Sequence, residues 1–174
     1  MFKWARAIGR YAPRTHFVEL FVEDRGNELD ASDYRGVYVF TEKIKRDKHR
    51  VDINKLSAED NALPDLSGGY LLKRDWVEDD AIQTEIYEDE LVLCHPKPEA
   101  ITDAQRSYLI DYLNTFEAAL EREDGSYAQY ADVDSFADHM MMMELSRNVD
   151  AYVLSTYMHK PRNGLLTMGP IWDF

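Results

Sequence analysis

Cysteine is almost absent: Cys94 stands alone among 174 residues, so no internal disulfide can form and no cysteine-built metal site is available. A reducing compartment fits that usage, and a disulfide-free exported protein would share it. Basic residues are scarce beside acidic ones, with 20 Lys and Arg against 33 Asp and Glu and a formal net charge of −13. A surface of that sign repels a phosphate backbone, which argues against sequence-independent binding of nucleic acid. No apolar run approaches the roughly 20 residues that span a bilayer. Residues 1–10 carry three basic side chains with no hydrophobic stretch behind them, so neither a signal peptide nor a membrane anchor is read there. What the chain does have is 45% hydrophobic and 12% aromatic residues, enough for one ordinary core and too much for a disordered, collagen-like or low-complexity protein.

The order of patterns implies an α+β protein. Two β-rich runs, Phe17, Val18, Leu20, Phe21, Val22 and then Gly36, Val37, Tyr38, Val39, Phe40, flank a polar segment and read as an antiparallel hairpin. The basic residues Lys43, Lys45, Arg46, Lys48 and Arg50 follow, and a polar stretch with Pro64 then reads as a loop-rich excursion to Ser67. Gly68 to Lys73 looks like a further strand, and residues 85–94 carry another short β pattern before Pro96 and Pro98. Beyond them, Ala104, Tyr108, Leu109, Tyr112, Leu113, Phe116 and Leu120 recur with helical spacing, and Thr102 with Gln105 makes a capping box at the start. A second helix is expected from near Asp134 to about Asn148, with Phe136, Ala137, Met140, Met141 and Leu145 on one side. Its methionine run, Met140 to Met143, reads as core packing, and His139, without a partner at ligand spacing, as structural. Two short strands at about 153–159 and 165–168, joined by Lys160-Pro161-Arg162-Asn163-Gly164, complete the pattern. The expected boundary lies at residues 96–101 and divides a β-rich part, 1–98, from a helical part, 99–174. The closing Pro170-Ile171-Trp172-Asp173-Phe174 is apolar and aromatic, so the chain is expected to be a fragment of something longer.

Asp150 and Asp173 fall at the two ends of the expected short hairpin, where their carboxylates can converge. Such a pair suits a divalent cation plus a general base, because the ion neutralises phosphate charge while the base accepts a hydroxyl proton. The structural alternative is that Asp150 closes a turn and Asp173 is solvated.

Five segments give the chain a family likeness: Tyr34-Arg35-Gly36-Val37-Tyr38-Val39-Phe40-Thr41-Glu42-Lys43-Ile44, Gly68-Gly69-Tyr70-Leu71-Leu72, Ile101-Thr102-Asp103-Ala104-Gln105, Glu144-Leu145-Ser146-Arg147-Asn148-Val149-Asp150 and Gly169-Pro170-Ile171-Trp172-Asp173-Phe174. In order and spacing they resemble the spore coat protein H (CotH) kinase family, over most of the chain. The resemblance implies an atypical protein-kinase-like fold, with a β-rich nucleotide-binding lobe, a helical catalytic lobe cut short here, and a β-hairpin between the two aspartates. The usual glycine-rich and catalytic-loop signatures of protein kinases are absent from such proteins. It also implies ATP with Mg2+, or Mn2+, as cofactors, Asp150 as the catalytic aspartate and Asp173 as the metal-binding one. Some members have Asn five residues after the catalytic Asp as a second metal ligand; this chain has Ser155, whose hydroxyl has less reach.

On the nucleotide side, Lys73 at the end of the third β run is the expected phosphate contact, with Lys43 its competitor. Glu42 is expected to position the lysine or the metal, or to satisfy backbone groups at a strand end. The basic segment 43–50 reaches phosphates or is simply solvated. Residues 76–90 hold seven acidic side chains and no basic one, a face that repels anions and suits a basic, Ser/Thr-containing protein substrate. The resemblance further implies an exported or spore- or cell-surface location. A non-catalytic coat-assembly module on the same fold and a metal-dependent phosphohydrolase using the same carboxylates on water are the alternatives.

Overall fold

The computed structural model describes residues 1–77 and 81–174. Among them lie the helices α1 (Phe2–Ala7), α2 (Asp103–Glu121) and α3 (Val133–Ser146). The strands are β1 (Thr15–Phe21), β2 (Tyr34–Thr41), β3 (Tyr70–Arg74), β4 (Ile82–Gln83), β5 (Glu90–His95), β6 (Thr156–Lys160) and β7 (Thr167–Met168). The architecture is α+β with antiparallel sheets. β1 pairs with β2 alone, and the others form one sheet in the order β4-β5-β3-β6-β7. Glu78, Asp79 and Asp80 of the acidic run lie outside the described residues.

β3 is the centre of that sheet. Tyr70, Leu71 and Leu72 have no solvent exposure, and the strand is paired on both edges, by β5 and by β6. Because strand side chains alternate, Tyr70 and Leu72 pack with Leu109 and Leu113 of α2, and with Leu56, Leu91, Leu93 and Leu166. Leu71 points the other way, into Ile44, Val51 and Ile53, with Tyr157 and Trp172 packed against them. Each large apolar side chain sealed in this way contributes about 1.5–3 kcal/mol. The sheet draws strands from both sides of residue 98, so the β-rich and helical parts share it. The hairpin of β1 and β2 is different: Phe17 is 81% and Phe40 68% exposed, on opposite faces.

The helices start where their caps dictate. Thr102 accepts from the Gln105 backbone N–H, and the Gln105 side chain accepts from that of Thr102, forming the expected capping box. The Gln105 amide also donates to the Ser57 and Asp60 carbonyls, tying the loop before β3 to α2. α3 differs from expectation in which face it buries. Ser135, His139, Met142 and Met143 are inside, whereas Ala137, Met140, Met141 and Leu145 are exposed. The reason is α1, which hydrophobic patterning does not reveal: its Ala5, with Ala12 and Ile171, covers Met142 and Met143.

The last strands are shorter than expected. β6 begins at Thr156 because the Val153 and Leu154 N–H groups both turn back to the Asp150 carbonyl and Ser155 takes a φ of 52°. β7 begins at Thr167 because Leu166 is bonded to the segment before α3, through Tyr130 O and Asp132 N. In the same way, residues 84–89 form a turn closed by the Thr84 N–H on the Asp89 carbonyl, and β5 starts at Glu90.

The turn between β6 and β7 is fixed from within. Lys160 is buried, its ammonium donating to the carbonyls of Ser67 (2.8 Å), Pro161 (3.3 Å) and Gly164 (2.6 Å) and lying 4.6 Å from the centre of the Tyr112 ring. Gly68 lies so close to this turn that a Cβ on it would stand 2.2 Å from the Pro161 carbonyl carbon and oxygen. Both obstacles are backbone atoms, which cannot rotate away. Gly68→Ala is therefore expected to lower stability by about 3 kcal/mol, the upper end of overpacking costs, read as a reduced midpoint in urea unfolding. An unchanged midpoint would show that the turn yields freely.

Candidate functional site

The site is built from the end of α3. Arg147 takes a left-handed φ of 51°, its N–H returns to the Glu144 carbonyl (3.2 Å), and the Asn148 N–H returns to that of Met143 (3.2 Å). This is a Schellman closure made without glycine, and a left-handed Arg costs roughly 1–2 kcal/mol. The chain leaves the helix there, so Asn148 opens the next loop. Its side-chain oxygen accepts from the Asp150 N–H at 3.0 Å, and its side-chain nitrogen donates to the Asp173 carbonyl at 2.8 Å.

Between those contacts, β6 and β7 carry the chain out and back. The Gly169 N–H donates to the Tyr157 carbonyl (2.8 Å), and the His159 ring nitrogen Nδ1 bonds the Gly169 carbonyl (3.1 Å). Trp172 then sets its ring edge-on to Tyr157, centroids 6.5 Å apart, and Asp173 follows with a φ of 61°. The hairpin thus returns the segment of Asp173 to that of Asp150, where one asparagine side chain holds both. Asn148 was not singled out in the sequence. An Asn two residues before an Asp signals a local turn, but no local pattern signals its bond to residue 173.

Both carboxylates are exposed, and neither has a hydrogen-bond or ion-pair partner among the described residues. A divalent hard cation fits that donor set. Mg2+ keeps several waters and is held through one or two carboxylates plus substrate phosphates, so an unpaired exposed carboxylate is the kind of protein ligand it takes. No group of three or more His, Cys, Asp or Glu able to hold a metal exists among the described residues. Ser155 stands at the entrance to β6 with a φ of 52° and makes no bond to either aspartate.

Lys73 shares a sheet face with Leu71 and is paired in register with Tyr157, on which Trp172 packs. That places it on the side of the sheet that carries the segment of Asp173. Its ammonium bonds Asp75 at 2.7 Å, and this contact helps hold the Asp75 carboxyl below its ordinary value against the opposing effect of burial. Lys43 is exposed. Glu42 engages neither lysine: it accepts from the Arg14 side chain and N–H, from Arg50 Nε at 2.9 Å and from the Tyr11 hydroxyl at 3.3 Å. Those contacts, chiefly the Arg14 guanidinium, bring its carboxyl down to about 2. From the basic segment, Arg50 is consumed in this cluster.

A cavity of about 270 Å³ lies beside the segment that precedes Asp173, lined by Arg10, Met142, His159 and Ile171 among others. Neither site aspartate lines it. Its Arg10 is paired with Asp132 (3.1 Å) and Asp138 (2.7 Å), and its Arg50 with Glu42, so it offers no uncompensated cation to a polyphosphate. His139, also on its wall, is buried with no partner for either ring nitrogen among the described residues; burial pushes it down to about 4 and keeps it neutral.

A protein-family model described as CotH kinase protein matches residues 1–174, the whole chain. No curated protein and no solved structure gives a significant match.

The depressed Glu42 carboxyl makes stability depend on pH. Its folded value of about 2 lies below the ordinary 4.5, so its ion pairs stabilise the fold fully above about pH 4.5 and lose that effect as pH falls towards 2. Glu42→Gln is expected to unfold more readily than the wild type at pH 7, with the two converging between pH 4.5 and 2 in thermal melts. A gap that persists at the acid end would mean that Glu42 acts through shape and not charge.

Proposed function

The chain belongs to the CotH kinase family, and from that premise we propose that it transfers the γ-phosphoryl group of ATP, with Mg2+ or Mn2+, to a Ser or Thr hydroxyl of a protein. The carrying observation is that Asn148 ties the segments of Asp150 and Asp173 together while both carboxylates stay unpaired. In this reading residues 1–98 form the nucleotide side of a kinase-like fold and residues 99–174 part of the catalytic side.

Asp150 accepts the proton of the acceptor hydroxyl as its oxygen bonds to the γ-phosphorus and the bond to the β-phosphate oxygen breaks, releasing ADP. Asp173 is the residue that would hold the cation, and the Ser155 hydroxyl would add a weaker oxygen ligand. A bound divalent ion supplies neutralisation of the charge on the phosphate oxygens. Lys73 contacts the α- and β-phosphates; an ammonium has three donors, so it can keep Asp75 and still reach a phosphate. Among the described residues the Lys43 ammonium has no such anchor. The exposed Glu85, Glu88 and Glu90 favour a basic protein as acceptor.

Incubation with labelled ATP, Mg2+ and a basic, Ser-rich protein is expected to label that protein. Asp150→Asn keeps the size and one acceptor oxygen but loses the charge, so Mg·ATP should still bind while the transfer rate drops by on the order of a hundredfold, the scale of general-base loss. Asp173→Asn is expected to weaken ATP binding in the presence of Mg2+ with little change in the melt. Label released only as free phosphate would mark a hydrolase, and full activity in Asp150→Asn would remove that residue from the mechanism.

A further inference from the structure

Asn148 holds Asp150 and also Asp173, which lies 25 positions beyond it, and it uses both halves of its amide to do so. The oxygen half takes the Asp150 N–H, which alone would be an ordinary local turn. The nitrogen half takes the Asp173 carbonyl, which is not local at all. Both partners are main-chain atoms, so what the side chain fixes is the path of the backbone beneath each carboxylate, and the carboxylates themselves remain free.

The fixed backbone is not one that these residues adopt unaided. Asp173 has a φ of 61° and Arg147, immediately before Asn148, a φ of 51°. Asp enters that region more readily than most residues with a Cβ, yet only as a minor conformation, and Arg does so rarely, so the surroundings hold both there. A change of φ at Asp173 would swing its carbonyl off the asparagine. It would also carry the carboxylate to a new place relative to Asp150.

We propose that Asn148 is a positioning residue that couples the two aspartates, setting the placement of the Asp173 carboxylate relative to that of Asp150. As a role in catalysis this rests on the phosphotransfer reading above; as a mechanical tie it does not. The residue type suits the task. An aspartate would set an acceptor against the Asp173 carbonyl and add charge beside two carboxylates, and a serine can take the Asp150 N–H but is too short to reach residue 173.

Two substitutions separate the halves of the tie. Asn148→Ala removes both bonds, whereas Asn148→Ser keeps the local one and loses the distant one. In the wild-type, Ala and Ser proteins, Ala is expected to speed exchange of the Asp150 amide by about tenfold, the effect of one hydrogen bond, and to lower the NMR order parameters of the backbone at residues 171–174. Ser is expected to lower only those order parameters and to leave exchange at Asp150 unchanged. In ATP binding titrated with Mg2+, both variants should need about tenfold more metal for half-saturation, with binding restored at high Mg2+. Faster exchange at Asp150 in Ala with the order parameters at residues 171–174 unchanged would overturn the coupling, as would a wild-type Mg2+ requirement in both variants. If the wild type binds no Mg·ATP, the phosphotransfer reading fails, and exchange at Asp150 with the order parameters at residues 171–174 upholds or overturns the tie.

Discussion

Tyr70, Leu71 and Leu72 are enclosed on both faces and both edges at once, and most other placements follow from that enclosure. Sealing Tyr70 and Leu72 requires α2; sealing Leu71 requires the segment of Ile44, Val51 and Ile53. Pairing the second edge requires β6, which brings with it the hairpin that returns Asp173. A slip of one residue would send every side chain of β3 to the opposite face and drive Lys73 into the apolar contact with α2. Register in one strand therefore decides whether the charged end of that strand lies on the side of Trp172 and Asp173.

The turn that closes the hairpin adds a polar constraint to this apolar one. Burial pushes the Lys160 amine down to about 8, a sign of how costly a charge is there. Three carbonyls and the Tyr112 ring compensate it, and they come from the turn before β3, the hairpin's own turn and α2. One ammonium thus joins elements that the sheet alone leaves separate. Gly68 is the complement of this arrangement, since only a residue without a Cβ lets the two turns approach.

Much of the frame was legible in the sequence where the cause is local. The Thr102 and Gln105 box, the pairing of β1 with β2 and the strand at Tyr70 each depend on residues close together in the chain. The position of Asp150 before the hairpin segment and of Asp173 after it was legible for the same reason. Partner choice was not. α3 carries two apolar faces, Ala137-Met140-Met141 and Met142-Met143, and periodicity cannot choose between them without the short α1. Glu42 sits next to Lys43 in the chain yet is taken by Arg14 and Arg50. Asp75, two residues after Lys73, drew no notice because its meaning depends on where a flexible ammonium settles.

Arg147, Tyr152, Ser155 and Asp173 all hold positive φ, so the loop around the two aspartates is crowded with conformations that a free chain avoids. Their concentration bears on how a ligand meets this protein. Folding has already met the entropic cost of arranging the loop, through the sheet, the helix closure and the asparagine. If the proposed phosphotransfer holds, an incoming nucleotide would meet a surface of settled shape, and little of its interaction energy would go into ordering the chain. Recognition there would be lock-like: discrimination would rest on the fit of the arriving groups, and encounter would not wait for a slow rearrangement of the backbone.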